Sequence, residues 1–364
     1  MKTGAFLVII LALARPLPAH AEIAVKTFEY PPQYGIYNPP ASSEDIALLT
    51  KAIYRLASDP RLEDHPIRRF LNDPQAKMTI VFNNPLIESM FGDGALTLGD
   101  QIHLKSSGTL DYYLQLLAHE FVHIDIIDKY GNNLDFGFLN PEDYAFSQLM
   151  EEAFCNSLEN WVRVSYPEIN TNRQARNWER QNNGYTRVDA MRNDFKATSN
   201  LSDEQIAAKV AREMFHQYMC SSNFYTSDII PQNLKRTYGN QNNFLIPEYA
   251  AYRRNADALL RHKWNYLASI MPFELSRGFD YDYYRRVFKE CVTDWAQYAD
   301  SPKKSILYWL NYDYVGAARA KFSGSYDYLS REDEERLNRI MREIDPYFTP
   351  VNTSAKNPFI QRDR

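Results

Sequence analysis

An α+β fold is what the chain predicts: a small mixed sheet carrying one long helix, followed by a mostly helical C-terminal portion. Three observations predict it. Lys77 to Asn83 (KMTIVFN) is rich in β-branched and aromatic residues and closes at Asn84-Pro85. Ala95 to Leu104 (ALTLGDQIHL) alternates like an edge strand or hairpin, behind a turn bracketed by Gly92 and Gly94. From Leu110 onward, Leu114, Leu117, Phe121 and Ile124 recur at helical spacing, with Thr109 as N-cap, until Gly131 stops the run.

The remaining elements follow in order. Residues 22–42 are rich in Pro and Tyr and read as an extended arm over the surface. Ser43 precedes a helix from Glu44 to Leu56, with Ile46, Leu49, Ile53 and Leu56 on one face. A second long helix follows Pro141, striped by Met150, Ala153, Phe154 and Trp161. Residues 166–200 are polar and rich in Asn and Arg, which suits a boundary or a surface excursion. Ser202-Asp203-Glu204-Gln205 is a capping box that opens a helix reaching about Met219. Further helical patterns cover Ala250 to Met271, Tyr283 to Tyr298, Ser305 to Lys321 and Ser330 to Ile344. Glu332, Glu334 and Glu335 read as a solvated helix start.

Composition narrows the function. The 364 residues are 45% apolar and 24% charged, with a net charge of -5, so a sizeable core is available and disorder is not expected. An acidic balance without a Lys/Arg run excludes a nucleic-acid partner and an anionic membrane surface. Lys2, the apolar run Gly4 to Ala14, the breakers Pro16 and Pro18, and Ala19-His20-Ala21 follow the order of an export signal, cleaved after Ala21. No later run approaches the roughly 18 apolar residues a membrane anchor needs. A secreted or periplasmic location is the expectation. Three cysteines are too few for a disulfide scaffold. Cys155 reads as a buried thiol, leaving Cys220 and Cys291 as a possible pair.

Chemistry enters at His119-Glu120-Phe121-Val122-His123, an HExxH pattern in mid-helix. Two histidines at i and i+4 project from one helix face about 6 Å apart, so both imidazoles can reach one metal ion. Glu120 sits one residue round, where its carboxylate can act on a water without being a ligand. In a chain of this composition the pattern arises by chance only about 0.008 times.

The order of strand, edge strand and HEFVH helix resembles the zincin metallopeptidases. The metzincin branch extends the motif to HExxHxxGxxH, whereas here Ile126 and Lys129 occupy the Gly and third His positions. The gluzincin branch takes a Glu from the next helix, and Leu149 to Asn156 (LMEEAFCN) supplies two. The resemblance implies Glu152 as third ligand in preference to Glu151, with Asn156 four residues later as a brace for a ligand histidine. It spans residues 44–165, a zincin-like catalytic core, and does not extend into 166–364.

The resemblance implies an exported zinc peptidase, with Zn2+ held by His119, His123 and Glu152. Glu120 would be the general base, acting on a water that zinc makes acidic. The strand around Asp100 to Leu104 would align an extended peptide, and His103 on that strand reads as a surface residue. Asp125 and Asp128 are candidates for orienting the histidines. His216 and Tyr218 are two of many candidate oxyanion donors. The expected partner is a peptide or protein, with cell-wall peptide as one class. The abundant aromatics would either stack sugars or pack a helical core, the second reading being preferred. Two alternatives stay open: a non-catalytic binding or scaffold protein on the same fold, and a zinc hydrolase of a non-peptide bond.

Overall fold

In the computed structural model the described residues are 7–10, 22–27, 41–73, 75–84, 95–106, 108–131, 138–166, 184–220, 226, 229–240, 246–295, 306–313 and 328–353. The expected cleavage site, the Pro- and Tyr-rich stretch 28–40, the Gly92/Gly94 turn and the ends of the helices near Tyr298 and Lys321 lie outside them. The chain is mostly helical with a small mixed sheet, so the α+β class holds in its broad form.

In chain order the elements are β1 (Leu7–Ile10), β2 (Glu22–Thr27), α1 (Ser43–Ala57), α2 (Pro66–Asn72), β3 (Lys77–Phe82), β4 (Leu96–Leu98), β5 (Gln101–Leu104), α3 (Leu110–Tyr130) and α4 (Pro141–Ser165). They continue as α5 (Gly184–Thr198), α6 (Asp203–Cys220), α7 (Ile230–Asn240), α8 (Ala250–Arg254), α9 (Ala256–Ser269), α10 (Phe273–Ser276), α11 (Tyr281–Trp295), α12 (Ile306–Leu310) and α13 (Arg331–Ile344). The described residues cluster into two compact units. One gathers residues 1–125, 155–214 and 269–278; the other gathers 126–154, 215–268 and 279–364.

The first unit holds the sheet, in the order β1-β2-β3-β5-β4. β2 runs parallel to β3 and β3 parallel to β5, while β1 and β4 are antiparallel edges. The start of the expected surface arm is therefore a strand, with Ile23 and Val25 buried. Its alternation is short, and the Pro- and Tyr-rich chain beyond Thr27 hides it. Ala95 to Leu104 is a hairpin whose two-residue turn uses Gly99 at φ 62. The edge is β4, and β5 lies inside the sheet. The strand expected to add a peptide at Asp100 to Leu104 is thus already paired on both sides. His103 is buried there, its Nδ1 2.9 Å from the Asn84 amide, and is no surface residue.

α3 is buried along most of its length, with Leu114, Leu117, Ala118, Phe121 and Val122 at most 1% exposed. Its start is capped by Thr109, whose Oγ1 accepts from the Tyr112 N–H at 3.3 Å. Phe121 packs edge-to-face on Phe70 of α2 at 5.7 Å, and Tyr113 does so on Phe82 of β3 at 6.2 Å. The Tyr113 hydroxyl also donates to Asp45 of α1 at 3.0 Å. These contacts hold α3 against α1 and the sheet near its start, and against α2 at Phe121 within the histidine motif.

The second unit is built on aromatic packing. Phe146, Phe154, Phe215, Trp264, Phe279 and Tyr284 interlock with centroid separations of 4.5 to 6.5 Å. Each such pair contributes about 0.5–1.5 kcal/mol beyond burial, so these aromatics are core material and not a sugar platform. Glu334 of α13 is 2% exposed, and its carboxylate accepts from the Thr353 N–H at 2.9 Å and hydroxyl at 3.0 Å. It pins the C-terminal segment and does not belong to a solvated helix start.

Candidate metal centre

The motif helix places His119 and His123 one turn apart on α3, with ring centroids 5.1 Å apart. Their Nε2 atoms face each other at 3.2 Å. Two nitrogens bound tetrahedrally to one zinc at ~2.0–2.1 Å would stand about 3.3–3.4 Å apart, so the pair is already at metal-sharing distance. His119 Nδ1 donates to the Glu159 carboxylate of α4 at 3.3 Å. A carboxylate accepts only, so this bond puts the His119 proton on Nδ1 and leaves the Nε2 lone pair facing His123.

A third donor comes from α4. One ligand atom each from His119, His123 and Cys155 lie within 4.8 Å of one another, and this group can hold a metal ion. Cys155 is fully buried and stands one turn before Glu159. All four side chains belong to the first unit. The donor set of two imidazoles and a thiol suits a four-coordinate ion with one position left for another ligand.

Glu120 is 4% exposed, and its Oε2 accepts from the Thr97 hydroxyl of β4 at 2.6 Å. The general-base candidate is thereby held against the edge strand of the sheet. Further back, His65 is fully buried at the N-cap of α2. Its Nδ1 accepts from the Ile67 N–H at 3.2 Å, so Nε2 carries the proton and donates to the Ala118 carbonyl at 3.1 Å. Ala118 precedes the first histidine of the motif, so this bond fixes the backbone beside it. Burial pushes the His65 pKa down to about 4, which keeps the ring neutral in this role.

Of the residues expected at the site, His119, Glu120 and His123 come together on α3. Glu152 is half-buried on α4, three residues before Cys155, and is not a member of the three-residue group. Glu151 has another engagement in the second unit, where the buried Lys263 ammonium donates to it at 2.5 Å and to Ser147 at 3.1 Å. The Asn156 side chain is met by the Asn160 amide at 3.2 Å, while the histidine brace is Glu159. Asp125 accepts from Arg69 at 2.9 Å and Asp128 is exposed. His216 lies in the second unit beside Cys220, its Nδ1 3.7 Å from Sγ, and stacks on Tyr283 at 6.2 Å. No disulfide joins the three cysteines, so the Cys220–Cys291 pair is not formed.

Sequence reasoning missed Thr97, His65, Glu159 and the ligand candidacy of Cys155. Two signals were available: Cys155 and Glu159 at i and i+4 on the helix after the motif, and an acid positioned to brace a histidine. Among the described residues no helix is long and apolar enough to cross a membrane. Compared with protein-family models, with curated proteins and with solved structures, the chain matches none.

Proposed function

We propose that this chain is an exported zinc-dependent metallopeptidase. The observation that carries the reading is the pair of Nε2 atoms 3.2 Å apart beside a buried Glu120 carboxylate. His119, His123 and a third donor from α4 would hold the ion, and Glu152 is the donor that the zincin resemblance implies. A bound zinc supplies Lewis acidity, lowering the pKa of water toward ~7 and polarising a scissile carbonyl.

The chain's own residues handle the proton and the substrate. Glu120 takes the proton from the attacking water and returns it to the leaving amine. Thr97 aims the carboxylate. β4 is antiparallel to β5 and open on its other side among the described strands, so an extended peptide can pair with it. Leu98, 44% exposed on that edge, offers an apolar contact to a neighbouring substrate side chain. Cleavage after Ala21 would remove β1 and leave β2 as the opposite edge.

A peptide library tests the reading. Zinc-reconstituted wild type should cleave some members, and the Glu120→Gln variant should keep its zinc and lose cleavage. Equal cleavage by Glu120→Gln would remove Glu120 as base, and silence across the library from a zinc-loaded chain would favour a non-peptide bond.

A further inference from the structure

We propose that the third metal ligand is the thiolate of Cys155, making this a two-histidine, one-cysteine centre in place of the two-histidine, one-glutamate centre implied by the motif resemblance. The inference deepens the metal-site reading above and rests on it.

Register along α4 carries the argument. Glu159 contacts His119 Nδ1, the atom that faces away from the ion when Nε2 is the ligand. A brace marks its own helix turn as the one beside the histidine. Cys155 is four residues earlier, about 6 Å along the helix, the same one-turn step that separates His119 from His123. Glu152 is seven residues from Glu159, about 10.5 Å along, a further turn out. The group within 4.8 Å is accordingly His119, His123 and Cys155.

The chemistry agrees with the geometry. Zn–N bonds of ~2.05 Å and a Zn–S bond of ~2.3 Å at tetrahedral angles put sulfur about 3.6 Å from each nitrogen, so a small side-chain rotation closes the site. A thiolate carries the same formal charge as a carboxylate, so two neutral imidazoles and one thiolate leave a divalent ion at +1. Cys155 is fully buried, so its sulfur meets the ion away from solvent. A soft sulfur donor biases the site toward zinc, cobalt and cadmium and away from hard, oxygen-seeking ions. Metal binding converts the buried thiol to a thiolate and releases its proton.

Cobalt substitution reads this out without relying on activity. In the full-length Cys220→Ser/Cys291→Ser background, Cys155 is the single thiol, and one Co2+ per chain should produce a near-ultraviolet thiolate-to-cobalt charge-transfer band. Adding Cys155→Ser should abolish the band and weaken binding by tenfold or more, while adding Glu152→Ala should leave the band in place. Stoichiometric cobalt without the band, or with binding lost only in Glu152→Ala, would overturn the thiolate assignment and leave the metallopeptidase reading standing. A chain that binds neither cobalt nor zinc would overturn both. The spectrum of the background protein needs no substitution at Cys155, so a folding defect in Cys155→Ser cannot mask the result.

Discussion

Glu120 shows how much of this site depends on single contacts. Its carboxylate is held by one hydroxyl, Thr97 Oγ1 at 2.6 Å. That contact fixes where the carboxylate points, so Thr97→Val should lower kcat roughly tenfold or more by misplacing the base. Metal content should not change, because Thr97 is no ligand. Lost metal in Thr97→Val would mean that the strand supports the ligands and not the base. Glu120→Gln should cost about 10²–10⁴ in kcat with zinc retained.

His65 adds a pH dependence. Its pKa is lowered from 6.5 to about 4 by burial, so the unfolded chain binds the proton more tightly than the folded one. The stability from neutral His65 is full above pH 6.5 and is lost as pH falls from there toward 4. The full shift corresponds to about 3 kcal/mol. Urea midpoints between pH 7 and 4.5 should fall in wild type and fall less steeply in His65→Gln. Parallel slopes would show that His65 is not the group responsible. The HExxH residues were legible because a 3.6-residue period brings i and i+4 together whatever the tertiary fold. Thr97, His65 and Glu159 were not, because packing alone brings them from 23, 53 and 40 positions away.

At the scale of elements, chain terminators and caps carried most of the information. Thr109, Gly131, Pro141 and the Ser202 box each mark an observed helix end: the caps satisfy backbone groups locally, and Pro141 brings no N–H to satisfy. The first helix is capped one residue earlier than expected, by Ser42 with Asp45. The pattern over Ala250 to Met271 breaks at Asn255 into α8 and α9, which periodicity alone does not reveal. Gly131 ends α3 at φ +98, and a Cβ there would collide with the Asp333 carboxylate. Gly131→Ala should therefore lower stability by about 1–3 kcal/mol, read as a drop in urea midpoint. An unchanged midpoint would mean that the α13 side chain moves aside at no cost. Strand identity was harder. Glu22–Thr27 has only six residues of alternation and becomes β2 through parallel pairing with β3, a contact 55 positions away in the chain.

At the scale of the whole molecule, the compact units each collect three pieces of the chain, and α3 and α4 contribute residues to both. A linear reading cannot anticipate that, because a helix surface can serve two cores at once. Metal should stabilise the folded chain by mass action, about 2.7 kcal/mol at a free concentration one hundred times Kd. The effect should weaken in acid, because imidazole binds a metal ion only when neutral. The central claim is a metal ion held by the two motif histidines. Its most direct test is the zinc content of the purified chain after reconstitution, measured beside His119→Ala and His123→Ala. About one zinc per wild-type chain and none in either variant is the predicted result. A zinc-free wild type, or variants that keep a full equivalent, would contradict it.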